Sequence, residues 1–256
     1  MKYSICIEPL FEDIPFEDRI KLVSKIGFKT IEFWDPGEKD LDILKKNCKI
    51  HKVSISDCTL NNPWGDTRLN ANTEVFIANF KATIPMIKKI NCNKVICLTG
   101  EIEKYKSLKN QRARIIANLK EASKIADRED IYIVLEALNS YVDHKDYFLD
   151  SSKLGFDIIK EVNHERVKLL YDIYHMQIME GNIISTIKEN IKFIGHFHSA
   201  GVPGRHELFT GEINYNNILK AIEDLGYNGY FGLEYWPSMD STESLIKTAK
   251  FLRISV

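Results

Sequence analysis

Residues 131–136 read IYIVLE, a short apolar run that ends on an acidic side chain, and this pattern decides the fold. Three later runs repeat it: VKLLYD (167–172), FIGHFH (193–198) and YFGLE (230–234). Each run is β-branched or aromatic and is followed by a loop and a helical pattern, which indicates strand–helix units. The final residues of the four runs, all able to bind a divalent metal ion, are Glu136, Asp172, His198 and Glu234. In a parallel barrel the C-terminal strand ends converge on one mouth, where we expect these side chains to meet.

The rest of the chain continues the same alternation of strands and helices. Four earlier strands are predicted at residues 3–7, 30–34, 53–58 and 94–98. Helices are predicted at 16–27, 40–48, 73–90 and 110–126, and four more begin near residues 150, 182, 214 and 240. Eight strand–helix units in 256 residues match a single α/β domain, a (β/α)8 TIM barrel over residues 1–256. A doubly wound sheet would usually have a Gly-rich turn after its first strand, and residues 7–15, IEPLFEDIP, contain no glycine.

Composition narrows the choice of partners and compartment. The formal net charge is −1, from 35 basic and 36 acidic residues, so no nucleic-acid or membrane partner is expected. No apolar run approaches the roughly 18 residues of a membrane span, and Glu8 and Pro9 interrupt any signal-peptide core. The five cysteines show no CxxC spacing and are predicted to be reduced thiols, mostly in the core. We expect a soluble cytoplasmic protein acting on a small molecule, with a homo-oligomer left open.

The four strand-end residues predict a metal site as a set. A single acidic residue at a strand end is more often a helix cap or a salt-bridge partner. The three carboxylates beside the imidazole at one mouth would repel each other unless a cation lay among them. Hard oxygen ligands with one imidazole suit Mn²⁺, Mg²⁺ or Co²⁺, and Zn²⁺ is also compatible. The sequence shows one complete ligand set and no second set of the kind that a hydride shift or a multi-zinc nuclease needs.

Other residues near these strand ends are candidates for binding the substrate. His175 follows Asp172 by three residues and could contact either the substrate or a ligand carboxylate. Arg205, in the Gly/Pro-rich loop GVPGRHE, could bind a substrate carboxylate or an enediolate oxygen. His196 is expected to be buried and hydrogen-bonded below the site. Trp34 and Trp236 are expected to form an apolar rim, and residues 139–149 to form a loop that covers the mouth.

The chain resembles the hydroxypyruvate isomerase family, within the xylose-isomerase-like barrels that include ketose 3-epimerases and endonuclease IV. The resemblance covers almost the whole chain. The segments that carry it are LFEDIPFEDR (10–19), GFKTIEFWDPGEKDLD (27–42), LEALN (135–139), VDHKDYFL (142–149), YDIYHMQIMEGN (171–182), HSAGVPGRHEL (198–208) and GEINY (211–215). The resemblance implies that Glu136, Asp172, His198 and Glu234 are metal ligands. It also implies that Glu136 and Glu234 are the catalytic acid–base pair.

These residues predict an isomerase of the aldose–ketose type, an intramolecular oxidoreductase. A metal that chelates a carbonyl and its adjacent hydroxyl stabilises an enediolate, and two glutamates can remove and return the proton. The substrate predicted by resemblance is a small hydroxy-carbonyl acid of the hydroxypyruvate/tartronate semialdehyde type.

Three alternatives stay open. The first is a ketose 3-epimerase or another sugar or sugar-phosphate isomerase. It is suggested by His198, because the better-known bacterial hydroxypyruvate isomerases carry glutamine there, whereas ketose epimerases carry histidine. The second is an endonuclease IV-like DNA-repair phosphodiesterase, which the absence of a basic surface disfavours. The third is a non-catalytic sugar-binding barrel.

Overall fold

Eight short apolar segments form parallel strands, and each pairs with the next until the eighth pairs with the first. This computed structural model describes residues 1–254. Its strands are β1 (Lys2–Cys6), β2 (Thr30–Phe33), β3 (Ser54–Thr59), β4 (Lys94–Cys97), β5 (Tyr132–Glu136), β6 (Val167–Asp172), β7 (Ile194–Ser199) and β8 (Tyr230–Leu233). The closed barrel confirms the predicted (β/α)8 architecture, and every predicted strand is present to within about a residue at each end.

The helices lie outside the barrel and follow the strands in sequence. They are α1 (Arg19–Lys25), α2 (Leu41–His51), α3 (Thr73–Lys89), α4 (Leu108–Glu129), α5 (Ser152–Val162), α6 (Ile173–Met179), α7 (Ile183–Asn190), α8 (Tyr215–Asp224) and α9 (Ser241–Phe251). Short 3₁₀ helices occur at Phe16–Asp18, Pro36–Glu38 and Ile191–Phe193. Only α6 has no counterpart in the prediction. It begins directly after β6, with no intervening loop, and therefore gave no separate signal in the sequence.

Helix boundaries follow from local hydrogen bonds that the sequence supplies. The side chains of Asn72, Ser107 and Ser151 each accept a backbone N–H in the first turn of α3, α4 and α5. At α9, Asp240 Oδ1 accepts from the N–H groups of Thr242 and Glu243 at 2.9 and 3.1 Å. Such caps satisfy backbone donors that have no partner within the helix, which stabilises each helix start by about 1 kcal/mol.

The apolar core lies between the strands and the helices, whereas the inside of the barrel is partly polar. Phe33, Phe197 and Phe231 are among the largest fully buried side chains, and the five cysteines are buried and unpaired. Strand register brings Asp172 beside His198, and His198 beside Gly232. The neighbouring strands β6, β7 and β8 therefore present their C-terminal residues at one level of the barrel.

Within residues 1–254, none of the helices combines the length and the apolar character needed to cross a bilayer.

Candidate active site

The four predicted metal ligands meet at the C-terminal mouth of the barrel. Glu136 and Asp172 are the last residues of β5 and β6, His198 is the penultimate residue of β7, and Glu234 directly follows β8. One ligand atom from each lies within 4.8 Å of the others, and all four side chains are buried. We call these four residues the mouth cluster. Its formation follows from the parallel barrel, which directs every strand end to the same face.

The dimensions of the mouth cluster fit a divalent cation. His198 Nδ1 lies 3.1 Å from Glu136 Oε1 and 3.6 Å from Glu234 Oε2. Ligand atoms about 2.0–2.6 Å from a shared ion can be no more than about 4–5 Å apart, which matches the observed spacing. Three oxygen donors and one imidazole also match the preferences of hard and borderline metal ions. The residues present therefore fit the metal that the sequence predicts, without identifying it.

Burial makes this group of carboxylates unfavourable without a counter-charge. Burial raises the pKa of Asp172 to about 7, although Arg205 and His198 act against the rise. The pKa of Glu136 is also raised by burial, despite a hydrogen bond from His198. Buried carboxylates whose charged forms are disfavoured gain most from a nearby cation. The electrostatics of the mouth thus agree with its geometry.

Glu234 has a different environment from Glu136. Trp34 Nε1 donates to Glu234 Oε1 at 2.7 Å, and Arg205 Nη2 donates to Glu234 Oε2. Burial would raise the pKa of Glu234, but the positive charges of Arg205 and His198 and the tryptophan hydrogen bond outweigh it, so the pKa is lowered. Two glutamates at one mouth whose pKa values move in opposite directions are the arrangement that separates a general base from a general acid.

Arg205 lies at the mouth, as predicted, and is held by several contacts. Its guanidinium carbon lies 5.1 Å from the ring centre of Tyr174 and 4.9 Å from that of Trp236. Its backbone carbonyl accepts from Trp236 N at 2.9 Å, and its φ of +56° is unusual for a residue with a side chain. Arg205 Nε is buried and has no hydrogen-bond partner among residues 1–254. This guanidinium is therefore fixed in place with donor capacity left for a ligand.

His175 lies beneath the mouth, in α6, and is fully buried. Its Nδ1 accepts a hydrogen bond from the backbone N–H of Asn139, with 3.1 Å between the two nitrogens. The proton of the ring therefore lies on Nε2. That Nε2 lies 3.5 Å from Asp172 Oδ2. Asp172 Oδ1 meanwhile accepts from the backbone N–H groups of Tyr174 and His175. Of the two predicted contacts for His175, this placement favours the ligand carboxylate over the substrate.

A cavity of about 100 Å³ lies at the mouth and is lined by Glu136, His198 and Glu234 of the mouth cluster. Its walls include the predicted rim residues Trp34 and Trp236, whose rings are 5.9 Å apart. The predicted covering loop, residues 139–149, contributes His144, and Leu138 just before it also lines the cavity. Sequence analysis did not single out His144, whose ring stacks on that of Trp64. A larger cavity of about 510 Å³ lies at the opposite end of the barrel and contains none of the mouth residues. We place the active site at the smaller cavity because the titratable groups converge there.

Below the mouth, the barrel encloses three further titratable residues: Glu32, Asp57 and His196. We call them the interior group. Together with His198 they form a second set whose possible ligand atoms lie within 4.8 Å of one another. The expectation of a single such set was therefore wrong. Glu32 and Asp57 lie within β2 and β3. The only sequence signal for them was an acidic residue in the middle of a predicted strand, which does not show which way its side chain points. His196 is fully buried, as predicted.

Comparisons with known proteins agree with this fold. The sequence profile of the xylose isomerase-like TIM barrel family matches residues 20–254. The chain is 31% identical to hydroxypyruvate isomerase of Escherichia coli K12, over 96% of this chain and 97% of that protein. It is 28% identical to 2-oxo-tetronate isomerase of Cupriavidus necator, over 95% and 96% of the two chains. A crystal structure described as an AP endonuclease, family 2, from Brucella melitensis superposes with a TM-score of 0.91 at 25% identity, over 98% of each chain.

Proposed function

Since this chain belongs to the xylose isomerase-like TIM barrel family, we propose that it is a metal-dependent isomerase of a small hydroxy-carbonyl acid. In this proposal the enzyme interconverts a hydroxy-aldehyde and a hydroxy-ketone of the hydroxypyruvate/tartronate semialdehyde type. The observation that carries it is the pair Glu136 and Glu234, which flank one imidazole at the mouth and have opposite pKa shifts. The relatives named hydroxypyruvate isomerase and 2-oxo-tetronate isomerase support the same class of reaction.

The mouth cluster is assigned the metal in this proposal. Glu136, Asp172, His198 and Glu234 would hold one divalent ion, with Mn²⁺, Mg²⁺ or Co²⁺ preferred and Zn²⁺ compatible. When bound, such an ion polarises a substrate carbonyl and its adjacent hydroxyl, which acidifies the C–H bond between them. His175 supports the site from below, through its contact with Asp172.

The two glutamates move the proton. Glu234 is held ionised by Arg205 and the hydrogen bond from Trp34, so it takes the proton from the substrate carbon. Glu136, whose protonated form is favoured by burial, returns a proton to the neighbouring carbon, while the proton of the substrate hydroxyl passes to the former carbonyl oxygen. Proton exchange with solvent after product release returns Glu234 to its ionised and Glu136 to its protonated form. The tryptophan rim excludes water, which protects the deprotonated substrate while the proton is transferred.

Arg205 and the size of the cavity favour a small carboxylate substrate. Arg205 lines the cavity and keeps an unpaired Nε donor, so it can bind a substrate carboxylate while it remains bonded to Glu234. The cavity of about 100 Å³ is well below the roughly 300–1,000 Å³ of sites for drug-sized ligands. An acid of three or four carbons fits both features.

Epimerisation of a ketose is the second candidate. His198 favours it, because the ketose epimerases that the chain resembles carry histidine at this position. The two reactions share their first step, and they differ in whether the proton returns to the same carbon or to its neighbour. An endonuclease-like activity receives less support, since a cavity of about 100 Å³ and a net charge of −1 do not suit a DNA strand.

Incubation of the Mn²⁺-loaded protein in D₂O with hydroxypyruvate, and in parallel with a panel of ketoses, tests the proposal. We expect turnover of hydroxypyruvate, with deuterium incorporated at the carbon that receives the proton. Chelator-treated protein, assayed before and after Mn²⁺ is restored, is the control. Turnover of ketoses alone, with deuterium at an inverted carbon, would establish the epimerase instead. Equal activity with and without metal would contradict the proposed centre.

A further inference from the structure

The two carboxylate oxygens of Glu32 have different surroundings. Its Oε2 lies 2.5 Å from Ser4 Oγ, 3.4 Å from Ser56 Oγ and 3.1 Å from His196 Nε2, and it accepts from these donors. Its Oε1 has no well-aligned hydrogen-bond partner within residues 1–254 and lies 3.2 Å from His198 Nε2. His198 Nε2 equally lacks another partner in that part of the chain. Glu32 Oε1 and His198 Nε2 are therefore each other's nearest available hydrogen-bond partner.

Lys94 fixes the direction of the hydrogen bond between His196 and Glu32. Its Nζ lies 3.2 Å from His196 Nδ1, and an ammonium group can only donate. His196 Nδ1 must therefore accept, so the proton of this neutral ring lies on Nε2. From there it is donated to Glu32 Oε2. Glu32 thus receives all its fixed hydrogen bonds on one oxygen and presents the other to His198.

Gly232 provides the space in which Glu32 and His198 approach each other. A Cβ atom at this position would lie 2.4 Å from Glu32 Oε1 and 2.7 Å from His198 Cδ2. Any side chain there would push the two residues apart. The close approach is therefore built into β8, independently of the hydrogen bonds that hold Glu32.

We infer that Glu32, held by the Lys94–His196 pair, is a positioning residue for His198. Glu32 Oε1 faces Nε2 and accepts its proton, so that when a metal ion displaces the Nδ1 proton of His198, the lone pair left on Nδ1 is directed at the mouth cluster. This inference rests on the proposed metal centre. It assigns a role to three residues outside the mouth cluster: Glu32, His196 and Lys94.

A second metal ion in the interior group would need a different arrangement. To bind an ion through Nε2, His196 would have to carry its proton on Nδ1, and that hydrogen would then point at the ammonium group of Lys94. Two donors would face each other in a buried site. The observed contact favours a hydrogen-bonded relay over a second ion.

Calorimetric titration of Mn²⁺ into the metal-free protein and its Glu32→Gln variant tests the inference. Glutamine has nearly the same shape, but its amide group can donate towards Nε2 and so move the His198 proton to Nδ1. We expect Mn²⁺ affinity to fall by about 10- to 100-fold. Asp57→Asn is the matched control, because it removes an equally buried charge that contacts His196 and not His198. We expect its effect to be several times smaller.

Lys94→Met tests the same chain of contacts from its far end and does not depend on Glu32→Gln folding correctly. Lys168 lines the same cavity at the bottom of the barrel, and its Nζ donates to a backbone carbonyl instead of to His196. We expect Lys94→Met to weaken Mn²⁺ binding several-fold and Lys168→Met to leave it unchanged. Nitrogen-15 NMR of the histidine rings in Zn²⁺-loaded protein should show the His198 proton on Nε2.

The outcomes separate this inference from the function proposed above. A parent protein that binds no Mn²⁺ would remove the metal centre itself. A parent that binds Mn²⁺, with Glu32→Gln binding equally well, would overturn the positioning role alone. Equal losses in Glu32→Gln and Asp57→Asn would also overturn it, in favour of a general effect of charge. Two Mn²⁺ equivalents in the parent, reduced to one by Asp57→Asn, would replace it with an interior metal site.

Discussion

The mouth cluster and the interior group are built from the same residue types and are in contact at His198. They differ in the hydrogen-bond donors that reach their carboxylates. Glu32, in the interior, receives donors from Ser4, Ser56 and His196. At the mouth, Asp172 receives two backbone donors on Oδ1, and its Oδ2 lies 3.5 Å from His175 Nε2. In both residues the fold thus fixes one carboxylate oxygen by hydrogen bonds. The second oxygen of Glu32 lies 3.2 Å from His198 Nε2, whereas we assign Asp172 to the cation.

Asp57 is the exception within the interior group. Neither of its oxygens has a well-aligned hydrogen bond from the described residues, although His196 Nε2 lies 3.3 Å from Oδ2. Buried carboxylates in this barrel therefore differ residue by residue in the hydrogen-bond donors that reach them. The interior is not uniformly hydrogen-bonded, and the mouth is not uniformly free. Substitutions matched between the two groups test this difference.

The largest contrast is expected in turnover. Glu136→Gln and Glu234→Gln keep an oxygen for the metal but cannot transfer a proton, so rates should fall by on the order of 10²–10⁴. Asp57→Asn, in the interior group, should retain turnover within about tenfold. Steady-state kinetics of the metal-loaded variants provide the measurement. Near-parental turnover of either glutamine variant would remove that residue from the acid–base pair.

The second largest contrast between the mouth cluster and the interior group is expected in metal affinity. Asp172→Ala is expected to weaken Mn²⁺ binding by at least about 100-fold, because it removes a ligand and not merely a supporting contact. Asp172 also caps α6, so this variant should lose about 0.5–2 kcal/mol of stability as well. Asp172→Asn is the matched variant, since asparagine can keep the cap while losing the charge. If Asp172→Ala and His198→Ala bind Mn²⁺ like the parent in calorimetry, the assignment of the metal centre is wrong.

Arg205 should distinguish between substrates. Arg205→Met removes a charge-assisted contact, which costs about 1.5–3 kcal/mol, or roughly ten- to a hundred-fold in kcat/KM for hydroxypyruvate. A neutral ketose should lose less, although both should lose something because Glu234 also loses its partner. Equal losses on both substrates would indicate that Arg205 acts only through Glu234 or the deprotonated substrate. No loss on either would leave the carboxylate substrate without its binding residue.

The smallest expected effect is a pH dependence of metal binding. The pKa of Asp172 is raised to about 7 in the metal-free protein, so below that pH a proton occupies the carboxyl group and competes with the metal. Mn²⁺ affinity should therefore rise by up to about tenfold per pH unit as pH approaches 7 from below. It should continue to rise above pH 7, because the metal must also displace a proton from His198, whose pKa is held well above its usual value by Glu32 and Glu234 despite burial. Calorimetry in buffers of different ionisation enthalpy would count the released protons. A constant affinity between pH 5.5 and 8 would contradict the raised pKa.

A site residue could be placed from the sequence only where the residues next to it in the chain indicated its position in the barrel. Glu136, Asp172 and Glu234 each end a recognisable apolar run, so the barrel rule alone brings them to one place. Glu32 and Asp57 could not be placed in this way, because which face of a strand points inside the barrel depends on register with neighbouring strands. The buried orientation of His175 depends on α6, a helix that begins at the strand end itself.

The contact between Trp34 and Glu234 joins residues 200 positions apart in sequence. A half-barrel containing only β5 to β8 would carry every member of the mouth cluster, yet its Glu234 would have no indole partner and its His198 no Glu32. Such a fragment could offer ligands to an ion, but it would lack the residues that set the protonation and direction of those ligands. In the proposed mechanism, the second half of this chain therefore supplies the ligands and the proton-transfer groups, and the first half supplies the side chains that orient them.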